Sequence, residues 1–552
     1  MRTKTRLEVV GLCLGMTASL GAAPLIAEPQ YETPFFLGVQ THFVQGWRLE
    51  FLDLLPDLGA TVLRDELSWP GIEAVPGRYF FRGDRTSYLA RAIDMGLDPM
   101  ILFTDTNSLY DDGMTPFSSE GQAAMAAYVT EIIAEYSPAL RRIEIGNEFN
   151  SADFVSGPFT EDRPRYFSAM LRAVHEAVKD AHPDTEILCT GTHSVAIGFF
   201  RALFENGVLV HCDAISLHLY NDQPELVATE LGRLHSLMEE FGRVLPIYVT
   251  EFGKWFDHPD DAPDFMLKMV AQMGEAGVAG AWWYALLDQP FWPNMGLYLP
   301  ETREPMPAAD SFRLLQETLL PLGRPRQIGA GANDQIYAFG DPIRAIVAWG
   351  APANLETEGV TQFLDARGRT LSAVTELSDT PVVFLGEDLD VRVTRDQQVT
   401  NVHYGFAQSP WEYYAVRPDG SISELDYIDW EWSSFLGDPN LRPLLVSHDW
   451  ISGVMFNERP YYAIERFIAP ATGEYQVTAR WYNPEHTDED GADIKVMHND
   501  IVLAEGIVAA QDFSFGPTTL SLAVGDRIDF AVGPNEYPGG DAVRREITIH
   551  HP

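Results

Sequence analysis

Between Phe35 and Leu319 the chain alternates strand-like and helix-like segments, and this alternation limits the folds open to it more than any other feature. The candidate strands are Phe36–Val39, Thr61–Arg64, Met100–Phe103, Arg142–Gly146, Glu186–Cys189, Asp213–Leu217, Ile247–Thr250 and Gly280–Tyr284. Most are short apolar runs rich in β-branched residues, the pattern of strands buried on both faces, as in a parallel sheet. Helical periodicity lies between several of them. Met125, Tyr128, Val129, Ile132, Ile133 and Tyr136 recur at i, i+3, i+4 spacing, as do Phe167, Met170, Leu171, Val174 and Val178, and Phe265, Met269, Val270 and Met273. Eight strands in such a sequence predict an α/β fold, a (β/α)8 TIM barrel over residues 34–320. A doubly wound open sheet would carry a Gly-rich phosphate turn after its first strand, and Gly38-Val39-Gln40-Thr41-His42 is not one.

After Leu320 the texture changes. Pro321, Gly323, Pro325, Gly329 and Gly331 mark a connection, and short strand-like runs with turn signals follow, such as Ala345–Trp349 before Asp365-Ala366-Arg367-Gly368. Residues 321–398 read as a small antiparallel β-sandwich. Residues 399–552 read as a β-sandwich or jelly roll, with period-two runs such as Tyr475-Gln476-Val477-Thr478-Ala479-Arg480-Trp481. The chain is 46% hydrophobic and 12% aromatic, enough for large cores.

The formal net charge of −42 excludes nucleic acid as a partner, since binding it requires Lys and Arg to displace counterions. It disfavours a polyanionic substrate and otherwise speaks to solubility. Residues 1–27 read as a signal peptide. Arg2, Lys4 and Arg6 precede a mostly apolar stretch, and Leu25-Ile26-Ala27 offers a cleavage site. No later run approaches the roughly 20 apolar residues a membrane span requires, so the expectation is a secreted or periplasmic protein with no membrane contact after cleavage. Of three cysteines, Cys13 lies in the leader, and Cys189 and Cys212 read as buried free thiols rather than a bridge.

In such a barrel, reactive side chains sit where strands end and βα loops begin. Those positions here carry His42, Arg64, Asp105 and Asn107, Asn147-Glu148, His193, His218 and Tyr220, Glu251, and Trp282-Trp283. Carboxylates, amides and imidazoles suit sugar hydroxyls, and indoles suit the apolar faces of sugar rings. Ile143-Glu144-Ile145-Gly146-Asn147-Glu148 and Ile247-Tyr248-Val249-Thr250-Glu251 each end a buried strand on a glutamate. Two carboxylates facing one bond are the minimal equipment for glycosidic cleavage.

This constellation resembles the retaining glycoside hydrolases of clan A, over residues 35–319. The clan's Asn-Glu at the end of strand 4 is matched by Asn147-Glu148, its strand-7 glutamate by Glu251, its strand-2 arginine by Arg64, its strand-6 tyrosine by Tyr220 and its strand-8 tryptophan by Trp283 or Trp282. Leu63-Arg64-Asp65-Glu66-Leu67-Ser68-Trp69 and Pro76-Gly77-Arg78-Tyr79-Phe80 look like the strand-2 segment of family 39 and related bacterial exopolysaccharide hydrolases. The resemblance implies Glu148 as general acid and then base, Glu251 as nucleophile, Asn147 on the 2-hydroxyl, Tyr220 orienting Glu251, Trp283 flooring the subsite, and His42 and His218 as sugar contacts. It implies a polysaccharide or oligosaccharide substrate, cleaved in endo fashion, with a bacterial matrix exopolysaccharide as one candidate and an exo-acting xylosidase-like enzyme as the alternative. A non-catalytic carbohydrate-binding matrix protein is the reading from another class.

Each residue also has a scaffold reading. Arg64 would be a rim ion pair, the histidines satisfied core groups, Asp105 and Asn107 helix caps, and one of the two tryptophans a core residue, because alternation sends them to opposite faces. The last region resembles the jelly-roll carbohydrate-binding modules of carbohydrate-active enzymes, through Val524-Gly525-Asp526-Arg527-Ile528-Asp529-Phe530-Ala531-Val532 and Asp541-Ala542. No cofactor is expected. Thr487-Asp488-Glu489-Asp490-Gly491-Ala492-Asp493 is acidic enough for a structural calcium but lacks the spacing of a calcium loop, which favours a solvated turn.

Overall fold

In the computed structural model the described residues are 34–551, apart from 82, 84–85, 221–222, 330, 443, 485–489 and 536–541. The expected signal peptide, Cys13, the first three residues of the acidic turn (487–489) and Asp541 lie outside the described residues. Eight parallel strands close a barrel in sequence order: β1 Phe36–Gln40, β2 Val62–Glu66, β3 Asp98–Phe103, β4 Arg142–Ile145, β5 Glu186–His193, β6 Ala214–Leu219, β7 Ile247–Phe252 and β8 Gly280–Trp283. Strand ends differ from the sequence reading by a residue or two, except that β5 runs on to His193. A register shift between Cys189 and Thr192 bulges that strand without ending it.

The helices form where the periodicity places them. Ser118 caps α1 (Ser119–Tyr136) by accepting from the Gly121 amide at 3.0 Å. Asp162 caps α2 (Arg163–Ala181), with Pro164 in its first turn. The second helix buries Phe167, Met170, Leu171, Val174 and Val178. Each such side chain contributes about 1.5–3 kcal/mol relative to exposure. Further helices α3 (Ile197–Glu205), α4 (Val227–Glu240) and α5 (Ala262–Glu275) cover the later strands. None of the described helices is long and apolar enough to cross a membrane.

Inside the barrel, the N-terminal end is closed by Val62, Met100, Leu188, Ala214, Tyr248 and Trp282, a cluster separate from the core outside the strands. The Trp282 ring lies over Gly38, where an added Cβ would approach it to 2.6 Å. Two residues nearer the mouth, inward positions turn polar: Gln40, Arg64, Glu144 and Thr250, all buried. A charged pair inside a barrel needs mutual satisfaction, and these residues supply it to one another.

A six-stranded antiparallel sheet follows, with Tyr337, Phe339, Val347 and Trp349 merged into the barrel core. Its long strands Ala353–Leu364 and Val382–Thr394 shift register near Glu358 and Val360, and the sheet folds over its own core of Ile336, Ile346, Leu355, Phe384 and Leu389. The last region is two antiparallel sheets, packed face to face around Trp411, Phe467, Tyr475, Trp481, Ile494 and Phe530.

The reading of the cysteines as free thiols is overturned. Cys189 and Cys212 are joined in a disulfide, with Cα atoms 5.7 Å apart. The sequence separates them by 23 residues; the pairing of Cys189 with Ile215 across β5 and β6 brings the two segments side by side.

Candidate active site

Period two along β2 sends Arg64 into the barrel and Asp65 out of it. Arg64 is fully buried and held on every side. Its Nε donates to Glu144 at 2.6 Å, and its Nη1 donates to Gln40 at 2.6 Å and to Glu251 at 2.5 Å. Its Nη2 reaches Asn147 Oδ1 at 3.4 Å. Burial works against the guanidinium charge, but Glu144 and Glu251 outweigh it and raise the Arg64 pKa. Glu144 also accepts from Thr250 Oγ1 at 2.7 Å. The rim ion pair considered for Arg64 is therefore an interior network that fixes one oxygen of Glu251.

Tyr220 fixes the other. Its hydroxyl donates to Glu251 Oε2 at 2.5 Å. Burial pushes the Glu251 carboxyl up, but His218, Arg64 and the Tyr220 hydrogen bond together overcome it and hold it down at about 2. Glu251 is thus an ionised group in a dry setting at neutral pH. The Tyr220 hydroxyl is shifted the opposite way, well above its ordinary value, chiefly by burial and then by the Glu251 charge.

Glu148 follows β4 in a left-handed backbone conformation, φ +51°. Its amide donates to the Gly191 carbonyl at 2.7 Å, and its carbonyl accepts from the Ser151 amide at 2.7 Å. His218 Nδ1 lies 2.8 Å from Glu148 Oε1 and 3.6 Å from Glu251 Oε2. His218 is fully buried, which alone would lower its pKa; Glu251 and Glu148 raise it instead. One oxygen of Glu148, one of Glu251 and the His218 nitrogen all lie within 4.8 Å of one another. The two glutamate side chains each keep 11% exposure, so both reach the pocket from a buried base.

Those three atoms have the spacing of a cation site. Arg64, 2.5 Å from Glu251, already supplies the positive charge there, and the Glu148–His218 hydrogen bond occupies the facing atoms.

His42 stands at the mouth, its ring edge-on to Trp47 and Tyr284 at 5.4 and 5.3 Å. Burial lowers its pKa to about 4, with Glu251 opposing and Arg64 assisting. It is a neutral imidazole at pH 7. Asp65 anchors this loop by accepting from Thr41 Oγ1 and the Phe43 amide, both at 2.7 Å. Asp105 and Asn107 are committed to the scaffold. Asp105 accepts from the Trp69 amide at 3.0 Å, and Asn107 donates to the Glu73 carbonyl at 2.9 Å.

Neither tryptophan of β8 floors the site. Trp282 plugs the far end of the barrel. Trp283 turns outward under α5, edge-on to Phe252 and Phe265, with its indole N–H donating to the Met295 carbonyl at 2.8 Å. The ring in the expected place is Tyr284, one residue on, edge-on to both His42 and Tyr220. Sequence reasoning also missed Gln40, Glu144 and Thr250. For Glu144 the signal was present: a charge between two isoleucines of a buried strand must have an interior partner. In the segments after β7 and β8, Trp255 and Trp292 lie 5.5 Å apart and remain 59% and 47% exposed, which leaves an aromatic face open to solvent.

No protein-family model matches the sequence, and no curated protein does. Solved structures do. A family 39 glycoside hydrolase from the gut symbiont Bacteroides cellulosilyticus WH2 superposes with a TM-score of 0.55 at 17% identity, covering 64% of this chain and 81% of that one. The shared feature is the barrel fold. A GH30 endoxylanase from Clostridium papyrosolvens C71 gives a TM-score of 0.48 at 14% identity over 64% of this chain and 97% of that one. A GH39 β-xylosidase from Caulobacter crescentus gives 0.48 at 16% over 65% and 98%.

Proposed function

We propose that this protein is a retaining glycoside hydrolase. The observation that supports it is the approach of Glu148 and Glu251, whose nearest carboxylate oxygens lie within 4.8 Å. Double displacement needs carboxyl groups about 5–5.5 Å apart, whereas inversion needs about 6.5–9.5 Å to admit a water. In the first step a Glu251 oxygen attacks the anomeric carbon, the glycosidic C–O bond breaks, and Glu148 gives its proton to the departing oxygen. In the second, Glu148 takes a proton from water, the water oxygen bonds to the anomeric carbon, and the ester to Glu251 is released. The depressed Glu251 pKa keeps the nucleophile ionised while His218 bridges it to the acid. To Asn147, whose Oδ1 accepts from Arg64 Nη2 at 3.4 Å, we assign the 2-hydroxyl.

The substrate we propose is a polysaccharide cleaved internally, with a neutral exopolysaccharide as the first candidate. The solvent-facing rings of Trp255 and Trp292 favour a chain longer than one sugar. The net charge of −42 disfavours a polyanion. Export is part of the same reading; a disulfide between Cys189 and Cys212 suits an oxidising compartment. The test is Glu148→Gln and Glu251→Gln assayed on a glycan panel with product analysis. Each variant loses at least about 10²–10⁴-fold in turnover, and an early ladder of oligomers marks endo action. Two variants with near-normal turnover would overturn the assignment.

A further inference from the structure

One hairpin of the C-terminal sandwich, Asp426–Asp429 paired with Ser434–Gly437, reaches the segments that follow β4 and β5. Its tip, residues 430–433, is docked by specific bonds. The Gly198 amide donates to the Trp430 carbonyl at 3.3 Å. A Cβ on Gly198 would lie 2.8 and 2.9 Å from the carbonyl oxygens of Asp429 and Trp430, so this approach requires glycine. Asn150 Nδ2 donates to both the Glu431 and the His193 carbonyls, at 2.9 and 3.1 Å, while its Oδ1 accepts from the His193 amide at 3.0 Å. Arg163 pairs with the Glu431 carboxylate, and the Ser194 hydroxyl donates to the Trp432 carbonyl. Arg233 holds Asp429 at 2.5 Å and covers the Tyr427 ring at 4.0 Å.

This docking sets the Trp432 ring edge-on against His193, centroids 5.7 Å apart. His193 stacks on Tyr220 at 6.1 Å, and Tyr220 holds Glu251. Three rings thus run from the C-terminal domain to the proposed nucleophile. Trp432 nevertheless stays 37% exposed, so the contact leaves indole surface free. The segments it docks on follow β4 and β5, beside Glu148, and a departing sugar leaves on the side of the acid that protonates it.

Resting on the reading of the site as a retaining glycosidase, we propose that Trp432 is the platform on which the leaving-group pyranose stacks. The C-terminal domain then completes the cleft rather than acting as a separate tethered module. The experiment compares kcat/KM on β-D-xylosyl and β-D-glucosyl fluorides, whose leaving group has no ring, with that on the corresponding β-linked trisaccharides. Trp432→Ala lowers the trisaccharide-to-fluoride ratio about five- to tenfold, mainly through KM, as expected for one lost aromatic contact. Trp432→Phe recovers most of the ratio, and Trp430→Ala, the neighbouring exposed indole, leaves it unchanged. If Trp432→Ala lowers both substrates in parallel, or neither, Trp432 is only a hairpin anchor and the proposal falls while the glycosidase reading stands. A wild-type chain inert on every fluoride and on every glycan of the panel removes that reading, and this proposal with it.

Discussion

Arg64→Met tests the electrostatic argument where it is most exposed to failure. The substitution keeps the side chain's bulk and removes its charge. Glu144 and Glu251 then face one interior with no cation between them. Breaking a buried ion pair by deleting one partner costs about 3–5 kcal/mol. At 1.36 kcal/mol per pKa unit this is about 2–4 units. Starting from about 2 for Glu251, the carboxylate pair takes up its first proton at roughly pH 4–6. The acid limb of kcat/KM on a glycosyl fluoride therefore moves up into that range.

The stability consequence has a definite sign. In the wild type, the depressed Glu251 pKa contributes stability that is present above its ordinary value of 4.5 and lost as pH falls towards 2. In Arg64→Met the Glu251 pKa climbs back towards or past 4.5, so this contribution shrinks and, once the folded value exceeds the unfolded one, becomes a loss of stability as pH rises through it. The difference in melting temperature between variant and wild type widens from pH 4 to pH 7, reaching on the order of 10 °C. Thermal melts across that range and a pH–rate profile give both readings. A pH-independent gap with an unmoved acid limb would refute the claim that Arg64 holds Glu251 ionised.

Two further outcomes follow from the corrected positions. Trp283→Ala costs about 3–5 kcal/mol of stability as a core truncation, seen in a melt, whereas Tyr284→Ala spares most of the stability and lowers kcat/KM about tenfold through a lost pocket contact. Cys189→Ser, or reduction of the wild type, lowers stability by about 3 kcal/mol for a loop of this length, and thiol titration of the unreduced, unfolded chain finds neither Cys189 nor Cys212 free.

What the sequence made legible was whatever depends on local period and order. Apolar runs ending in Glu148 and Glu251 are visible because a doubly buried strand has few polar positions and its end is where one is tolerated. Arg64, Tyr220 and His218 were visible for the same reason. Trp283 and Tyr284 were not resolved, because the chain leaves β8 at that point and period two no longer says which ring faces inward. The contacts of Asn150 and Ser194 with Glu431 and Trp432 span more than two hundred residues, and no local pattern encodes them. The Cys189–Cys212 bond was hidden likewise, since adjacency of β5 and β6 puts two thiols together that spacing alone leaves apart.

The left-handed backbone at Glu148 is shared by none of Arg64, His218, Tyr220 and Glu251. An L-residue there costs about 1–2 kcal/mol that glycine would not, and the amide bond to Gly191 and the bond to Ser151 keep it in place. Glycine at 148 would relieve that backbone cost but would also take away the partner of the buried His218, 2.8 Å distant, a loss on the larger scale of about 3–5 kcal/mol used for Arg64. The side chain that donates the proton is therefore also what makes its own strained backbone tolerable, and position 148 is held by its partner as much as by its chemistry.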